Sequence, residues 1–270
     1  MKENKIGFIG CGNMGSAMIG GIINKNILDS KDIYVYDNNT EKLNSFCGEL
    51  NSTPAKTAKE LAENCKYIIL AVKPYVVKPV LNEIKDIINA ETIIISIAAG
   101  VTVKVLKEAS ISERVVRVMP NTPALVGEGV SAVVFNEKIN SEEKEFIIEL
   151  LKTLGPAYVV DEKLMDAVGA VSGSGPAYVY MFIEALADAG VLGGLDRQLS
   201  YKLAAQTVLG SAKMVLETGK HPGALKDDVC SPGGSTIEGV KSFEENGFRG
   251  AIIDAAVAVM NKTKKMAEEQ

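Results

Sequence analysis

A glycine-rich segment behind the first apolar run has the residue types and spacing of a phosphate-binding turn. The apolar run spans 6–9, and the turn consists of Gly10, Cys11, Gly12, Asn13, Met14 and Gly15. In a strand–turn–helix unit, the first glycine permits the tight turn, the second leaves room for a pyrophosphate, and the third lets the helix pack on the strand. The helix directs its free N–H groups at the phosphates. We therefore expect dinucleotide binding, with a ligand-free turn as the alternative.

Further cofactor contacts are expected beyond the carboxyl ends of the other strands, where open α/β sheets bind ligands. Asp37 ends the second predicted strand about 20 residues after the glycines, the usual place of a ribose contact. Lys73 is interpreted as a phosphate or ribose contact, or else as a solvated loop lysine. Asn121 lies in a proline-flanked corner expected near a nicotinamide, or else in a structural turn. The predicted cofactor-binding residues are Ile9, Gly10, Cys11, Gly12, Asn13, Met14, Gly15, Asp37, Asn38, Asn39, Ala71, Val72, Lys73, Pro74, Ala98, Ala99, Gly100 and Asn121.

A second special turn, residues 230–238, lies in the C-terminal half. Two consecutive glycines, Gly233 and Gly234, leave the backbone N–H groups accessible at a helix start, which favours binding of a carboxylate. Ser235 and Glu238 have the spacing of a capping box, so we expect Ser235 to cap the helix. Thr236 is then free to direct its hydroxyl at a ligand. An ordinary capped helix is the alternative.

The chain contains a single histidine, His221, so a site of several histidines or an imidazole relay is excluded. His221 precedes Pro222 and is expected to be exposed at a helix start rather than to act as a base. No metal site is expected. The four cysteines have no CxxC spacing and are interpreted as free thiols of a reducing cytoplasm.

Composition and charge exclude several classes of protein. The net charge of −5 argues against a nucleic-acid or anionic-membrane partner. No apolar stretch reaches the roughly 18 residues of a spanning helix. Residues 1–4 lead straight into the first predicted strand, so no signal peptide is expected. We therefore expect a cytoplasmic protein with a small-molecule substrate.

Strands and helices alternate in the first half of the chain, which predicts a parallel sheet covered on both faces. The residue pair Thr57 and Glu60 predicts a capped helix start between two of these strands. The predicted strands are 6–9, 33–36, 67–72, 92–97 and 115–119, extended by 130–135 and 157–160. The predicted helices are 41–50, 57–64, 76–88, 103–108 and 141–154.

From residue 162 onward the patterns are helical, so we expect a Rossmann-type domain, 1–161, followed by an all-α domain, 162–270. Small residues are dense in this half and predict close helix packing, which we interpret as pairing of two copies; a self-contained bundle is the alternative. The segment 172–176 is expected to be a helix-packing hinge near the active site rather than a second phosphate loop. The predicted helices are 162–171, 176–191, 197–218, 223–230, 236–246 and 248–267.

Across 6–266 the chain closely resembles the pyrroline-5-carboxylate reductase family. The segment that begins at His221, with Pro222 and Gly223, and ends at Gly234 is the most specific part. The other matching segments are 8–14, 71–74, 120–124 and 172–178.

The resemblance implies hydride transfer from NADPH or NADH to the C=N carbon of 1-pyrroline-5-carboxylate, which gives L-proline, in a homodimer that assembles further. It implies that the turn holds the substrate carboxylate and that the hydroxyl of Thr236, the catalytic residue, hydrogen-bonds the ring nitrogen. Orientation of the reactants supplies most of the rate, so neither a strong base nor a metal is needed. The predicted substrate-binding residues are Gly233, Gly234, Ser235, Thr236 and Ser174.

Two departures from the family pattern matter. The segment 37–40 has no arginine for a 2′-phosphate, so Asp37 favours NAD through a ribose hydroxyl. Alternatively, Asn38, Asn39 and Lys42 fold over the phosphate with Asp37 turned away, and family habit favours NADP. Ala58 replaces a common asparagine, which puts one adenosine contact in doubt.

Two rival functions remain. A β-hydroxyacid dehydrogenase needs a catalytic lysine, but neither Lys163 nor Lys202 lies in a convincing motif. In a nucleotide-sensing protein without turnover, the anion-binding turn expected at 233–236 would have no function, which counts against this alternative.

Overall fold

The computed structural model describes residues 5–268, and for residues 266–268 only the backbone. The chain forms two compact units. The sheet unit comprises the chain up to Gly173 with the C-terminal end from Lys262, and the helical unit spans Ser174–Asn261. The predicted domain boundary at 161/162 lies upstream of this division and stays a prediction. The expectation about residues 1–4 falls outside the described residues.

The sheet unit contains an eight-stranded sheet with the order β3-β2-β1-β4-β5-β6-β7-β8. Neighbouring strands are parallel, except for the antiparallel pair β6 and β7. The strands are β1 (Ile6–Ile9), β2 (Ile33–Tyr36), β3 (Thr53–Pro54), β4 (Tyr67–Leu70), β5 (Ile93–Ser96), β6 (Val115–Met119), β7 (Ser131–Phe135) and β8 (Ala157–Val159).

Helices connect the strands and make up the helical unit. They are α1 (Asn13–Asn24), α2 (Thr40–Leu50), α3 (Ala58–Asn64), α4 (Pro74–Ile84), α5 (Val103–Ala109), α6 (Ser141–Leu151), α7 (Met165–Val168), α8 (Gly175–Leu192), α9 (Arg197–Thr218), α10 (Pro222–Val229), α11 (Ser235–Glu245) and α12 (Phe248–Glu268).

Both faces of the sheet are covered, which confirms the first part of the predicted fold class. Phe8 and Ile9 are neighbours in β1 and therefore point to opposite faces. Phe8 packs in a cluster with Ile19 of α1, and Ile9 packs in a second cluster with Leu81 of α4. These four side chains are at most 2% exposed.

Helices alone form the described structure of residues 174–261, which confirms the all-helical second part. Gly190 of α8 permits close packing on α9, because a Cβ atom there would lie 2.8 Å from Ser200 Oγ. Phe182, Phe243 and Phe248 bring α8, α11 and α12 together, with 4.6 Å between the ring centroids of Phe243 and Phe248.

Three elements differ from the sequence-based expectation. Strand β3 was not predicted, because two residues that include a proline carry no alternating pattern. The helix expected at 162–171 is instead a 3₁₀ turn (Glu162–Leu164), α7 and a π turn (Gly169–Gly173). Helix α4 begins earlier than residue 76, because Pro74 suits the first helical position.

In the described part of the chain, the four cysteines are not joined in disulfides. Among the helices that the structure describes, none has both the length and the apolar character needed to cross a membrane.

Candidate functional site

The turn between β1 and α1 contains three glycines, and the structure explains the presence of each one differently. Gly10 has a φ of +101°, and a Cβ there would lie 2.6 Å from the Ala71 carbonyl oxygen. A Cβ at Gly15 would collide with the Gly10 carbonyl oxygen. At Gly12, in contrast, a Cβ would meet no atom within 4 Å. The fold therefore accounts for Gly10 and Gly15, whereas the open space at Gly12 fits a bound phosphate.

Helix α1 begins at this turn without a side-chain cap. Gly12 is the N-cap residue, its backbone is extended, and it has no side chain that accepts a hydrogen bond. The first-turn N–H groups and the positive end of the helix dipole are therefore left for an anionic ligand. The residues present fit a dinucleotide pyrophosphate.

Backbone hydrogen bonds align the predicted cofactor segments along one edge of the sheet. Gly10 N donates to Tyr36 O (2.7 Å), Ala71 N to Ile9 O (2.9 Å) and Ile97 N to Leu70 O (3.2 Å). The turns that follow β1, β2, β4 and β5 are therefore adjacent. Ile9 is buried, so only its backbone is available to a ligand. The residues aligned in this way are 9–15, 37–39, 71–74 and 98–100.

Asp37 is held by the glycine turn. Its Oδ2 accepts hydrogen bonds from Cys11 N (3.0 Å) and Cys11 Sγ (3.3 Å), and its Oδ1 accepts one from Asn39 N (3.0 Å). Burial acts to raise the pKa of Asp37, but these hydrogen bonds and the charge of Lys42 outweigh it and hold the pKa below its usual value. The carboxylate is therefore ionised at neutral pH.

Cys11 is an inert thiol rather than a nucleophile. Burial, then the hydrogen bond and the charge of Asp37, raise the pKa of the Cys11 thiol to about 11. Sequence analysis missed the contact between Cys11 and Asp37. The available signal was the position of Cys11 between two glycines, opposite the end of β2.

Lys73 and Asn121 have different environments. Lys73 is the exposed N-cap residue of α4, so both of its interpretations remain open. Asn121 is only 9% exposed; its Oδ1 accepts from Val130 N (2.9 Å) and its Nδ2 donates to Ser172 O (3.1 Å). The structural turn therefore accounts for the Asn121 side chain, and its cofactor contact stays a prediction.

Sequence analysis missed an ion pair between a buried arginine and a partly exposed glutamate. Arg117 of β6 is 5% exposed, and its guanidinium lies 3.1 Å from Glu162 Oε1, which also accepts from Val103 N at 2.7 Å. Glu162 thus ties the residues that follow β8 to β6 and to the start of α5. No motif indicated this pair, because its members are far apart in sequence.

The second special turn leads into α11 and corrects one expectation. Ser235 is not the cap: Gly234 is the N-cap residue and Ser235 is the first helical residue. The reason is a tight turn at Gly233, with φ +67°, which Gly234 N closes by donating to Ser231 O (3.0 Å). Because glycine has no capping side chain, the first-turn N–H groups of α11 are uncapped, and Ser235 and Thr236 are exposed there.

The remaining predicted residues lie at other helix starts. Ser174 precedes α8, is half-buried and makes no side-chain capping hydrogen bond. His221 is the exposed N-cap residue of α10, and its Nδ1 accepts from Gly223 N (3.0 Å). This confirms its expected place at a helix start. Among the described residues, no group of three His, Cys, Asp or Glu side chains is arranged to hold a metal ion.

Family models match both parts of the chain. A model described as pyrroline-5-carboxylate reductase dimerisation matches residues 162–266. A model described as NADP oxidoreductase, coenzyme F420-dependent, matches residues 5–100.

Full-length relatives carry the same name. The pyrroline-5-carboxylate reductase of Escherichia coli strain K12 is 48% identical over 98% of this chain and 99% of that protein. That of Methanosarcina acetivorans is 42% identical over the full length of both.

Solved structures agree along nearly the whole chain. The Plasmodium falciparum pyrroline carboxylate reductase with NADP bound is 40% identical, with a TM-score of 0.87 over 99% of both chains. The Coxiella burnetii pyrroline-5-carboxylate reductase is 34% identical, with a TM-score of 0.92 over 97% of both chains.

Proposed function

The chain belongs to the pyrroline-5-carboxylate reductase family, and from that premise we propose how its residues perform the reaction. It is an NAD(P)H-dependent oxidoreductase that reduces 1-pyrroline-5-carboxylate to L-proline, the last step of proline biosynthesis. The observation that carries the residue assignments is the pair of uncapped helix starts, α1 and α11, each behind a glycine turn. Each offers backbone N–H groups to an anion.

The cofactor is held at the edge of the sheet. The N–H groups of the α1 start bind the pyrophosphate over the bare Gly12, and the turns after β2, β4 and β5 line the rest of the dinucleotide. Bound reduced nicotinamide supplies the hydride for the C=N carbon. The proposed contacts are the 18 residues from Ile9 to Asn121 predicted above, with Asn121 acting through the shape of its turn.

The substrate carboxylate binds at the start of α11. The N–H groups there donate to no capping side chain, and neither Gly233 nor Gly234 places a side chain over them. A carboxylate at this position gains charge-assisted hydrogen bonds and the favourable end of the helix dipole. Ser235 lies beside it in the same turn, and Ser174 is a further proposed contact from the start of α8.

Thr236 is the proposed catalytic residue. Its exposed hydroxyl in the first turn of α11 hydrogen-bonds the ring nitrogen while the N–H groups hold the carboxylate. Protonation of that nitrogen makes the neighbouring carbon electrophilic, so the remaining requirement is orientation, worth about 7–11 kcal/mol in favourable cases. His221 takes no part, because its Nδ1 serves as a helix cap.

Assembly and compartment complete the proposal. The homodimer, which the dimerisation domain supports, assembles into a larger homo-oligomer, and residues 162–270 act as the substrate-binding and dimerisation domain. We place the enzyme in the cytoplasm, a proposal supported by its four cysteines, which have no CxxC spacing and are not joined in disulfides.

The test is the loss of nicotinamide absorbance in the presence of 1-pyrroline-5-carboxylate. We expect oxidation of the reduced cofactor and formation of L-proline. Oxidation of a β-hydroxyacid instead would identify the dehydrogenase alternative. Binding of the cofactor without turnover would identify a nucleotide sensor.

A further inference from the structure

The carboxylate of Asp37 is fixed in place at the end of β2. Three donors hold it: the N–H and the thiol of Cys11 on one oxygen, and the N–H of Asn39 on the other. Two of these donors are backbone N–H groups, one on each oxygen of the carboxylate. Asp37 therefore cannot turn outward without breaking hydrogen bonds on both of its oxygens.

The contact with Cys11 also maintains a negative charge at this point. The same hydrogen bonds hold the pKa of Asp37 below its usual value, although burial opposes them. Cys11 remains a protonated donor, because burial and the neighbouring carboxylate raise its pKa to about 11. At neutral pH the pair consists of one anion and one neutral thiol.

The charge of Lys42 acts on Asp37, but Glu41 beside it adds a second carboxylate, so the segment 37–42 keeps a net negative charge. The first turn of α2 adds the carboxylate of Glu41 and the ammonium of Lys42, both exposed. The side-chain oxygen of Asn39 accepts from Lys42 N as the cap of α2. Phosphate on a ribose is commonly bound by arginine, and every arginine of this chain lies at position 114 or beyond.

We infer that Asp37, anchored by Cys11, is a specificity-determining residue that favours a dinucleotide with a free ribose 2′-hydroxyl over one with a 2′-phosphate. A 2′-hydroxyl donates to the carboxylate, which still has lone-pair capacity beyond its three hydrogen bonds. A 2′-phosphate brings a like charge to a carboxylate that cannot move away. The inference rests on the proposed function, because the ribose reaches Asp37 only if the turn 10–15 holds the pyrophosphate.

The test is calorimetric binding of ADP-ribose and of 2′-phospho-ADP-ribose to the full-length protein. These probes lack the nicotinamide, so they report on the phosphate and ribose contacts without turnover. At low salt, we expect the wild-type protein to bind ADP-ribose about tenfold more tightly than 2′-phospho-ADP-ribose. Added salt should reduce this ratio of the two affinities. In the isosteric Asp37→Asn variant, which removes the charge, the ratio should fall to within about threefold.

Glu49→Gln is the matched control, because it removes the same charge from the exposed far end of α2 and should leave the ratio unchanged. Equal or tighter binding of 2′-phospho-ADP-ribose by the wild type overturns the inference, and this result needs no variant to fold. A folded Asp37→Asn protein with the wild-type ratio overturns it as well. If neither probe binds the wild type, the proposed cofactor site itself fails.

Discussion

The two units of the molecule differ in where their apolar side chains lie. In the sheet unit, large apolar residues such as Phe8, Ile19 and Leu81 are completely buried. In the helical unit, Leu192 is 91% exposed, Leu216 is 78% exposed and Met181 is 69% exposed. One chain therefore completes the core of the sheet, whereas the helical unit leaves apolar surface of the kind that a partner subunit covers.

The difference between the units extends to their glycine turns. The glycine turn of the sheet unit, proposed to bind the pyrophosphate, lies on a closed core, where the ladder of β1, β2, β4 and β5 fixes the turns. The glycine turn of the helical unit, proposed to bind the substrate carboxylate, lies at the exposed start of α11. We therefore expect cofactor binding to depend on the sheet core alone and substrate binding to depend on assembly as well.

The largest effect is expected from Leu209→Asp, which puts a charge on the apolar surface of α9. Leu209 is 53% exposed in the single chain, and burial of a carboxylate there would raise the dissociation constant of the dimer about 1,000-fold. Sedimentation equilibrium measures this change. ADP-ribose binding should persist, because the sheet unit has its own core.

Val159→Asp is the control for that change. Val159 is 62% exposed on the edge strand β8 of the sheet unit, and its substitution should leave the dimer intact. A Leu209→Asp protein that remains dimeric would show that the exposed face of α9 is not the surface that pairs.

The next effect concerns the sheet unit alone. Gly12→Val fills the open space at the glycine turn and should weaken dinucleotide binding about 100-fold, as measured by calorimetry. The melting temperature should hardly change, because no atom lies within 4 Å of a Cβ at Gly12. Gly15→Val is the contrast: its Cβ collides with the Gly10 carbonyl oxygen, so stability itself should fall. Unchanged binding in Gly12→Val would remove the pyrophosphate from this turn.

In the helical unit, Thr236→Ala should lower kcat about tenfold, since one positioned hydroxyl is lost from the ring nitrogen. The affinity for the cofactor, measured by calorimetry, should stay the same because Thr236 belongs to the other unit. Thr236→Ser retains the hydroxyl and should recover most of the rate. A wild-type rate in Thr236→Ala would exclude this residue from the mechanism.

The smallest expected effect is on stability, and it tests whether ion pairs help to stabilise the sheet unit. Glu143 of α6 is 5% exposed, lies 3.0 Å from Lys66 Nζ and also pairs with Arg114. Burial acts to raise the pKa of Glu143, but hydrogen bonds from Lys66 and Arg114 outweigh it and lower the pKa below 4.5. This stabilisation is present above pH 4.5 and is lost as the pH falls through the lowered pKa.

Glu143→Gln should therefore reduce the free energy of unfolding by about 1 kcal/mol at neutral pH, and the difference from wild type should shrink in acid. Urea denaturation at both pH values measures it. Glu113→Gln is the control, because its exposed pair with Lys138 spans 3.7 Å and should contribute about 0.3 kcal/mol or less. An equal loss of unfolding free energy in both variants would contradict a larger stabilising contribution from Glu143 than from Glu113.

Local signals in the sequence predicted much of this fold. The boundaries of α9 follow from the Asp196 cap, which accepts from Leu199 N, and from Gly219, whose φ is +63°. Thr57 caps α3 as expected, although Glu60 completes the motif with Lys56 N instead of Thr57 N. These features depend on residues that are close together in the sequence, so they can be predicted from it.

Features set by distant residues were not predictable in the same way. Three features join segments that meet only in the folded chain. They are the hydrogen bonds from Cys11 to Asp37, the ion pair of Arg117 and Glu162, and strand β3. The start of α11 was displaced from its expected residue by a backbone turn, which capping-box spacing does not reveal. At the candidate site, sequence therefore predicted the segments better than the direction of their side chains.

A crystal structure of the protein with L-proline would test the proposed substrate site most directly. We expect the proline carboxylate within about 3 Å of the first-turn N–H groups of α11, with the ring nitrogen beside the Thr236 hydroxyl. Proline bound elsewhere, with only water at the start of α11, would contradict it.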